Sequence, residues 1–170
     1  MEYTSAEANK LLRKLREEHA ALISKESKAS SFIISLGEDP ESVRPEYNYL
    51  NTQKKLKEVE QKIIKLKHAI SIFNVNTEVP GFNMTIDQLL VYIPQLTERK
   101  TKLAKMSDRI PKQRASRESF YGNSNIVEYD YANYDIQQAT LELTAVAEEL
   151  SRAQTELDVI NSTQKFNIDL

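Results

Sequence analysis

Cysteine and tryptophan are both absent from the 170 residues, and glycine (3), proline (5) and histidine (2) are scarce. Without cysteine there is no disulfide framework, no thiolate nucleophile and no thiolate metal site, and the chain suits a reducing cytosol. A cytoplasmic location is the expectation. No apolar run approaches the roughly 18 residues that a membrane-spanning helix needs. The opening residues, MEYTSAEANKLLRK, lack a basic stretch followed by an apolar one, so no signal peptide is expected. The sequons Asn83-Met84-Thr85 and Asn161-Ser162-Thr163 are then chance matches. A strong excess of one charge is missing too, since the formal net charge is -2, which gives no global argument for nucleic acid or an anionic membrane.

Catalytic signatures are likewise missing. There is no glycine-rich phosphate loop, no HExxH helix and no Ser/His/Asp grouping that spacing would bring together. His19 and His68 fall on different helices. The expectation is a protein that is not an enzyme, with no cofactor, no metal and no small-molecule substrate inferred.

Charged residues make up 28% of the chain, which together with so few helix breakers is the balance of a long-helix or coiled-coil protein. A chain of this length suggests a single helical domain over 1–170. The predicted fold is mainly all-α: antiparallel long-helix hairpins forming a bundle or coiled coil, with a small β-hairpin between the third and fourth helices. The first helical hairpin covers 1–75, the third helix 85–108, the β-hairpin 114–131 and the fourth helix 135–162.

Apolar residues at alternating steps of three and four define each helix. The first helix starts at Thr4 or Ser5, with Glu7 completing a capping box, and its stripe runs Leu12, Leu15, His19, Leu22, Glu26, Ala29, Ile33, Leu36. His19 and Glu26 are polar members of that stripe. Either their tips reach water at the seam's edge, or they form a buried polar layer that fixes register. Gly37 then supplies a helix-ending position, and Asp39 and Pro40 suit a cap and first turn. Pro45 marks the start of the second helix, because a residue before proline avoids helical geometry. Its stripe, Tyr49, Thr52, Leu56, Val59, Ile63, Leu66, Ile70, Phe73, is unbroken, and its outer face carries Lys54, Lys55, Lys57, Lys62, Lys65 and Lys67.

Pro80-Gly81 is a turn pair, after which Thr85 and Gln88 form a second capping box. Ile86, Leu89, Leu90, Ile93, Leu96, Leu103 and Met106 give the third helix its buried face, and Pro94 inside it should bend it. The fourth helix, capped by Asn133 or Asp135, has the stripe Ile136, Ala139, Leu143, Val146, Leu150, Ala153, Leu157, Ile160 and an acidic outer face. That acidic face could lie against the lysine-rich second helix or the basic end of the third. The ending, residues 166–170, alternates like a short strand or an arm that docks on a neighbour.

Residues 109–135, RIPKQRASRESFYGNSNIVEYDYANYD, break the helical pattern and hold half of the 8 tyrosines. Alternation over 126–131 and the turn pair Gly122-Asn123 predict a ribbon of 116–121 with 125–131. An isolated hairpin is marginal in water, so it needs a surface to rest on. That surface is the protein's own helices or another subunit, since tyrosine and arginine are favoured at interfaces. Arginine with tyrosine could also hold single-stranded nucleic acid, but Glu128, Asp130 and Asp135 among the tyrosines would repel phosphates. The candidate interface residues are Arg114, Arg117, Tyr121, Tyr129, Tyr131 and Tyr134.

The Phe73-Asn74-Val75-Asn76-Thr77 loop, the Arg114-Ala115-Ser116-Arg117-Glu118 stretch after the third helix, the strand-like run over 126–131 and the ending Leu157-Asp158-Val159-Ile160-Asn161 together resemble the small bacterial septicolysin-like family. The resemblance spans nearly the whole chain, through short motifs. It departs at Ser162, where the family has tryptophan, and in the Tyr-rich 129–134 run and the Val79-Pro80-Gly81-Phe82 loop. It implies a helical fold and, by name alone, a cytolysin. The functional expectation is therefore a structural or interaction protein whose partner is itself, as a homo-oligomer. The alternatives are a membrane-active, cytolysin-like protein and a nucleic-acid-binding helical arm using Lys54–Lys67 and Lys100–Arg117.

Overall fold

Each stripe closes on one partner, and the result is a mainly α-helical protein. The computed structural model describes residues 1–114 and 128–169. Among these the order is β1 (Glu2–Thr4), α1 (Ser5–Ala29), α2 (Pro40–Val43), α3 (Tyr49–Asn76), β2 (Glu78–Val79), β3 (Met84–Thr85), α4 (Ile86–Ser107), β4 (Lys112–Arg114), β5 (Tyr129–Tyr131), α5 (Ile136–Thr163) and β6 (Lys165–Asn167). The strands form three two-stranded sheets, β1 with β6, β2 with β3 and β4 with β5. The chain forms two compact units, Met1–Glu78 with Asp158–Leu170, and Val79–Leu157. No helix is long and apolar enough to cross a membrane, among the described residues.

The first unit is built on the α1–α3 hairpin. His19 meets Glu60 at 3.1 Å, and seven residues further along α1, Glu26 meets Gln53 at 2.7 Å. Each advance along α1 is thus matched by an equal retreat along α3, which makes the two helices antiparallel. Ala8, Leu12 and Leu15 pack with Val59, Leu66, Ile70 and Ile168 in one buried cluster. Thr4 caps α1 with the full box expected of Thr4 and Glu7. At the same end, β1 and β6 pair antiparallel, Tyr3 opposite Phe166. Phe166 stacks on Phe73 with ring centroids 4.5 Å apart. The ending is therefore a strand on the chain's own N-terminus.

The other end of this hairpin departs from the periodicity. Helix α1 stops at Ala29, capped by Ser30, so Ile33 and Leu36 leave the seam and stand at 97% and 107% exposure. Glu26, the polar stripe member four residues before the cap, takes its bonds from Tyr47 and Gln53, so the seam close to the helix end is polar. Gly37, with φ 96°, occupies a turn closed by Glu38 N–H to the Ser35 carbonyl at 3.1 Å, in place of the helix terminus expected of it. Asp39 and Pro40 do start a helix, but it is only the four-residue α2. Helix α3 starts at Tyr49, four residues beyond Pro45, because Asn48 supplies the cap by accepting from Asn51 N–H.

The second unit is built on α4 and the part of α5 up to Leu157. Tyr92 donates to Glu149 at 2.7 Å and Arg99 pairs with Glu142 at 3.6 Å, again matching advance with retreat, so the helices run antiparallel. Leu96, Leu103, Val146 and Leu150 form their core. From the acidic face of α5, Glu142 thus meets Arg99, where the basic stretch of α4 begins. Leu90, expected in the buried face, is exposed, since Leu89 already fills the inward position. The turn before α4 is Val79-Pro80-Gly81-Phe82, closed by Phe82 N–H to the Val79 carbonyl, with Gly81 at φ 77° as a type II turn requires. Thr85 and Gln88 form the expected box. Asp135 is the α5 cap, accepting from the N–H groups of Gln137 and Gln138.

Candidate functional site

Two exposed features stand out, one in each unit. In the second unit the ribbon pairs Lys112 with Tyr131, Gln113 with Asp130 and Arg114 with Tyr129. Alternation along β5 puts Tyr129 and Tyr131 on one face, both more than half exposed. Lys112 lies over both rings, its Nζ 4.2 Å from the Tyr129 centroid and 5.2 Å from that of Tyr131. On the other face Asp130 accepts from Arg109 and, at 3.2 Å, from Gln113. The Arg109 guanidinium, helped by the Gln113 amide, holds the Asp130 carboxyl below the usual carboxylate range. This pairing accounts for the acidic residues among the tyrosines: at least Asp130 neutralises a base within the ribbon.

Of the residues expected at an interface, Arg114, Tyr129 and Tyr131 are together on this ribbon. Tyr134 is committed elsewhere, since its hydroxyl donates to the Met106 carbonyl at 2.8 Å and so satisfies a carbonyl in the last turn of α4. Arg117 and Tyr121 lie outside the described residues, as do the 116–121 strand and the Gly122-Asn123 turn. The described pairing extends as far back as Lys112. Lys112 and the Arg109–Asp130 pair were missed as site residues. Their signal was in the sequence, because a basic residue at either end of a short strand can reach an aromatic or acidic position across a ladder.

In the first unit the feature is the connection between α1 and α3. Phe32, Ile33, Ile34, Leu36, Val43, Tyr49 and Leu50 are all exposed there. Arg44 covers part of Phe32, its guanidinium carbon 5.9 Å from the ring centroid. Beneath them Glu26 accepts from Tyr47 at 2.6 Å and Gln53 at 2.7 Å. The hydrogen bond to Glu26, with some burial, pushes the Tyr47 phenol up to about 12. Glu26 and His19 are both half-buried and both bonded across the hairpin. They are half-buried polar contacts across the seam's edge, between the two readings that periodicity left open. Among the described residues no group of three or more His, Cys, Asp or Glu side chains is placed to hold a metal ion.

No known family model matches the chain, and no curated protein matches it. A solved structure does: a functionally unknown conserved protein from Corynebacterium diphtheriae, with a TM-score of 0.61, 18% identity, and 98% of this chain and 100% of that one covered. At that identity the likeness shows the fold and nothing of activity.

Proposed function

We propose that this chain is a non-enzymatic structural or interaction protein that self-associates through its helical stripes and the Tyr/Arg-bearing ribbon. The observation that supports the reading is that each unit leaves large apolar or aromatic side chains in water once its seam is filled, Ile33, Leu36 and Leu50 in the first and Tyr129 and Tyr131 in the second. Monomeric proteins rarely expose contiguous apolar patches of more than a few hundred square ångströms, and larger ones mark interaction sites. Light scattering after gel filtration tests it. The expected mass is a multiple of the chain's, and a monomer at every concentration would remove the reading.

The connection between α1 and α3 favours a second reading, a membrane-active protein of the kind the septicolysin-like resemblance implies. Four apolar side chains within residues 32–36 are suited to enter a bilayer interface. The neighbouring Glu38, Asp39 and Glu41 direct such an encounter to neutral lipid. Dye release from neutral liposomes is the expected result, and intact neutral and anionic liposomes would exclude it.

A further inference from the structure

Helix α3 carries a second stripe on the face opposite its seam. Leu50, Lys54, Lys57, Gln61, Ile64, His68, Ile72 and Val75 advance by three or four residues and are all exposed. The four apolar members, Leu50, Ile64, Ile72 and Val75, stand at 48–79% exposure. A groove lined by the lysine stems of Lys54, Lys57, Lys62 and Lys65 runs along this face, and a second, from Lys65, His68 and Ile72 to the seam residues Phe73 and Phe166, opens at its edge. A lysine-rich face that is simply solvated has no reason to carry isoleucines at helical spacing.

We infer that this face is the docking surface for a second copy of the chain, with the two α3 helices antiparallel about a two-fold axis at Lys62–Ile63. The inference rests on the self-association proposed above and names the surface. Its warrant is the symmetry of the stripe. A two-fold at that point sets Leu50 against Val75, Lys57 against His68 and Gln61 against Ile64 of the other copy. The apolar residues Leu50 and Val75 therefore meet at both ends, while Lys54 and Ile72 come level with Ser71 and Gln53 beside the stripe.

The flanks agree with the same arrangement. On one side Glu58 lies two residues, about 3 Å of helical rise, from the level of Lys65 of the second copy, and on the other Glu60 lies as close to Lys67. Each pair occurs twice by symmetry. Glu60 is half exposed and uses one carboxylate oxygen toward His19, leaving the other for a second cation. A parallel in-register pair would instead place Lys54, Lys57 and Lys65 against their own copies. Such like-charge juxtapositions select against the parallel partner more than the ion pairs stabilise the antiparallel one.

The absence of native cysteine makes the test direct. In the antiparallel pair the two Leu50 positions are separated by roughly 37 Å, from the helical rise per residue, whereas Leu50 faces Val75. The Leu50→Cys/Val75→Cys double variant should oxidise to a covalent dimer in air, while either single variant should not. The Lys65→Glu/Lys67→Glu variant should weaken the dimer about tenfold through repulsion of Glu58 and Glu60. Adding Glu58→Lys/Glu60→Lys should restore it. All these positions are exposed, so helicity and melting should stay close to the parent's in every variant that keeps Glu60, while Glu60→Lys also gives up the His19 contact. If the parent is an oligomer but crosslinking fails and charge reversal changes nothing, the α3 surface is wrong while self-association stands. A parent that is monomeric at all concentrations overturns both, whether or not it binds liposomes or RNA.

Discussion

The two units begin alike and end differently. Each opens on a short strand whose last residue is a threonine, Thr4 or Thr85, that caps a long helix through a box closed three residues later. Each then closes an antiparallel seam. In the first unit the partner residue is Glu7, a carboxylate at the positive end of a helix, and its pKa is lowered by the Thr4 backbone N–H it accepts from. In the second it is Gln88, which makes the same bonds without charge. Beyond the caps, the first unit anchors its cross-seam polar contacts on the α1 side chains His19 and Glu26 and leaves apolar residues at one end of the hairpin. The second joins its helices by Tyr92–Glu149 and Arg99–Glu142 and turns its exposed aromatics onto a ribbon. The same local device thus opens two seams that differ in where they leave large apolar and aromatic side chains exposed.

The largest effects should come from the seams. Leu66 is fully buried in the first unit and Leu96 nearly so in the second. Leu66→Ala and Leu96→Ala should each cost about 2–5 kcal/mol in urea unfolding. Ile33→Ala, on a residue outside the seam, should stay within about 0.5 kcal/mol. A loss at Ile33 as large as at Leu66 would mean that the α1 stripe runs through to Ile33 after all.

Next come the polar contacts. Tyr92→Phe should cost about 1 kcal/mol, because it leaves the Glu149 carboxylate without its phenol donor. Thr4→Ala should cost about the same by removing a cap. Gln88→Glu should stabilise slightly, by placing at α4 the charge that α1 already has. A loss of stability in Gln88→Glu, measured by thermal melting at low salt, would break the parallel between the two caps.

These contrasts show what the residues alone could tell. The seams were legible because Leu56, Val59, Leu66, Ile70 and Phe73 on α3, and Ala139, Val146, Leu150, Ala153 and Ile160 on α5, repeat with helical period and are buried as that period requires. The capping boxes were legible for a similar reason, since a cap is a local contact between residues three apart. The premature end of α1 was not, because Ser31 to Leu36 carries no proline or glycine before Gly37 and its apolar residues keep the right spacing. Close to that end the seam is polar, with Tyr47 and Gln53 closing on Glu26, a tertiary arrangement to which periodicity is blind. The β1–β6 pairing was hidden likewise, since it joins residues from the two extremes of the chain. On the ribbon, tyrosine alternation marked Tyr129 and Tyr131, but only the observed register brings Lys112 between them. Tyr134 looked like their companion and serves α4 instead.

The smallest effects separate the ribbon from the connection between α1 and α3 by pH, in opposite directions. Asp130 on the ribbon is held below its ordinary value of 3.8 by Arg109 and Gln113. A carboxyl with a depressed folded pKa stabilises the fold fully above its unfolded value and loses that contribution as pH falls through the folded one. The ribbon should therefore loosen only below about pH 4, and Asp130→Asn should abolish the transition. Tyr47 behaves the other way. Its phenol is pushed up from 10 to about 12 by Glu26, so its contribution is complete below pH 10 and is lost as pH rises toward 12. Absorbance titration of the phenolates should show two late-ionising tyrosines, Tyr47 and Tyr92, whose phenol the hydrogen bond to Glu149 likewise pushes up, and Tyr47→Phe should remove one of them. The connection between α1 and α3 should gain hydrogen-exchange rate over the same alkaline window, beyond the intrinsic increase with pH, while the ribbon does not. Equal responses of both features at either extreme would show that one global unfolding event, and not two local polar contacts, governs them.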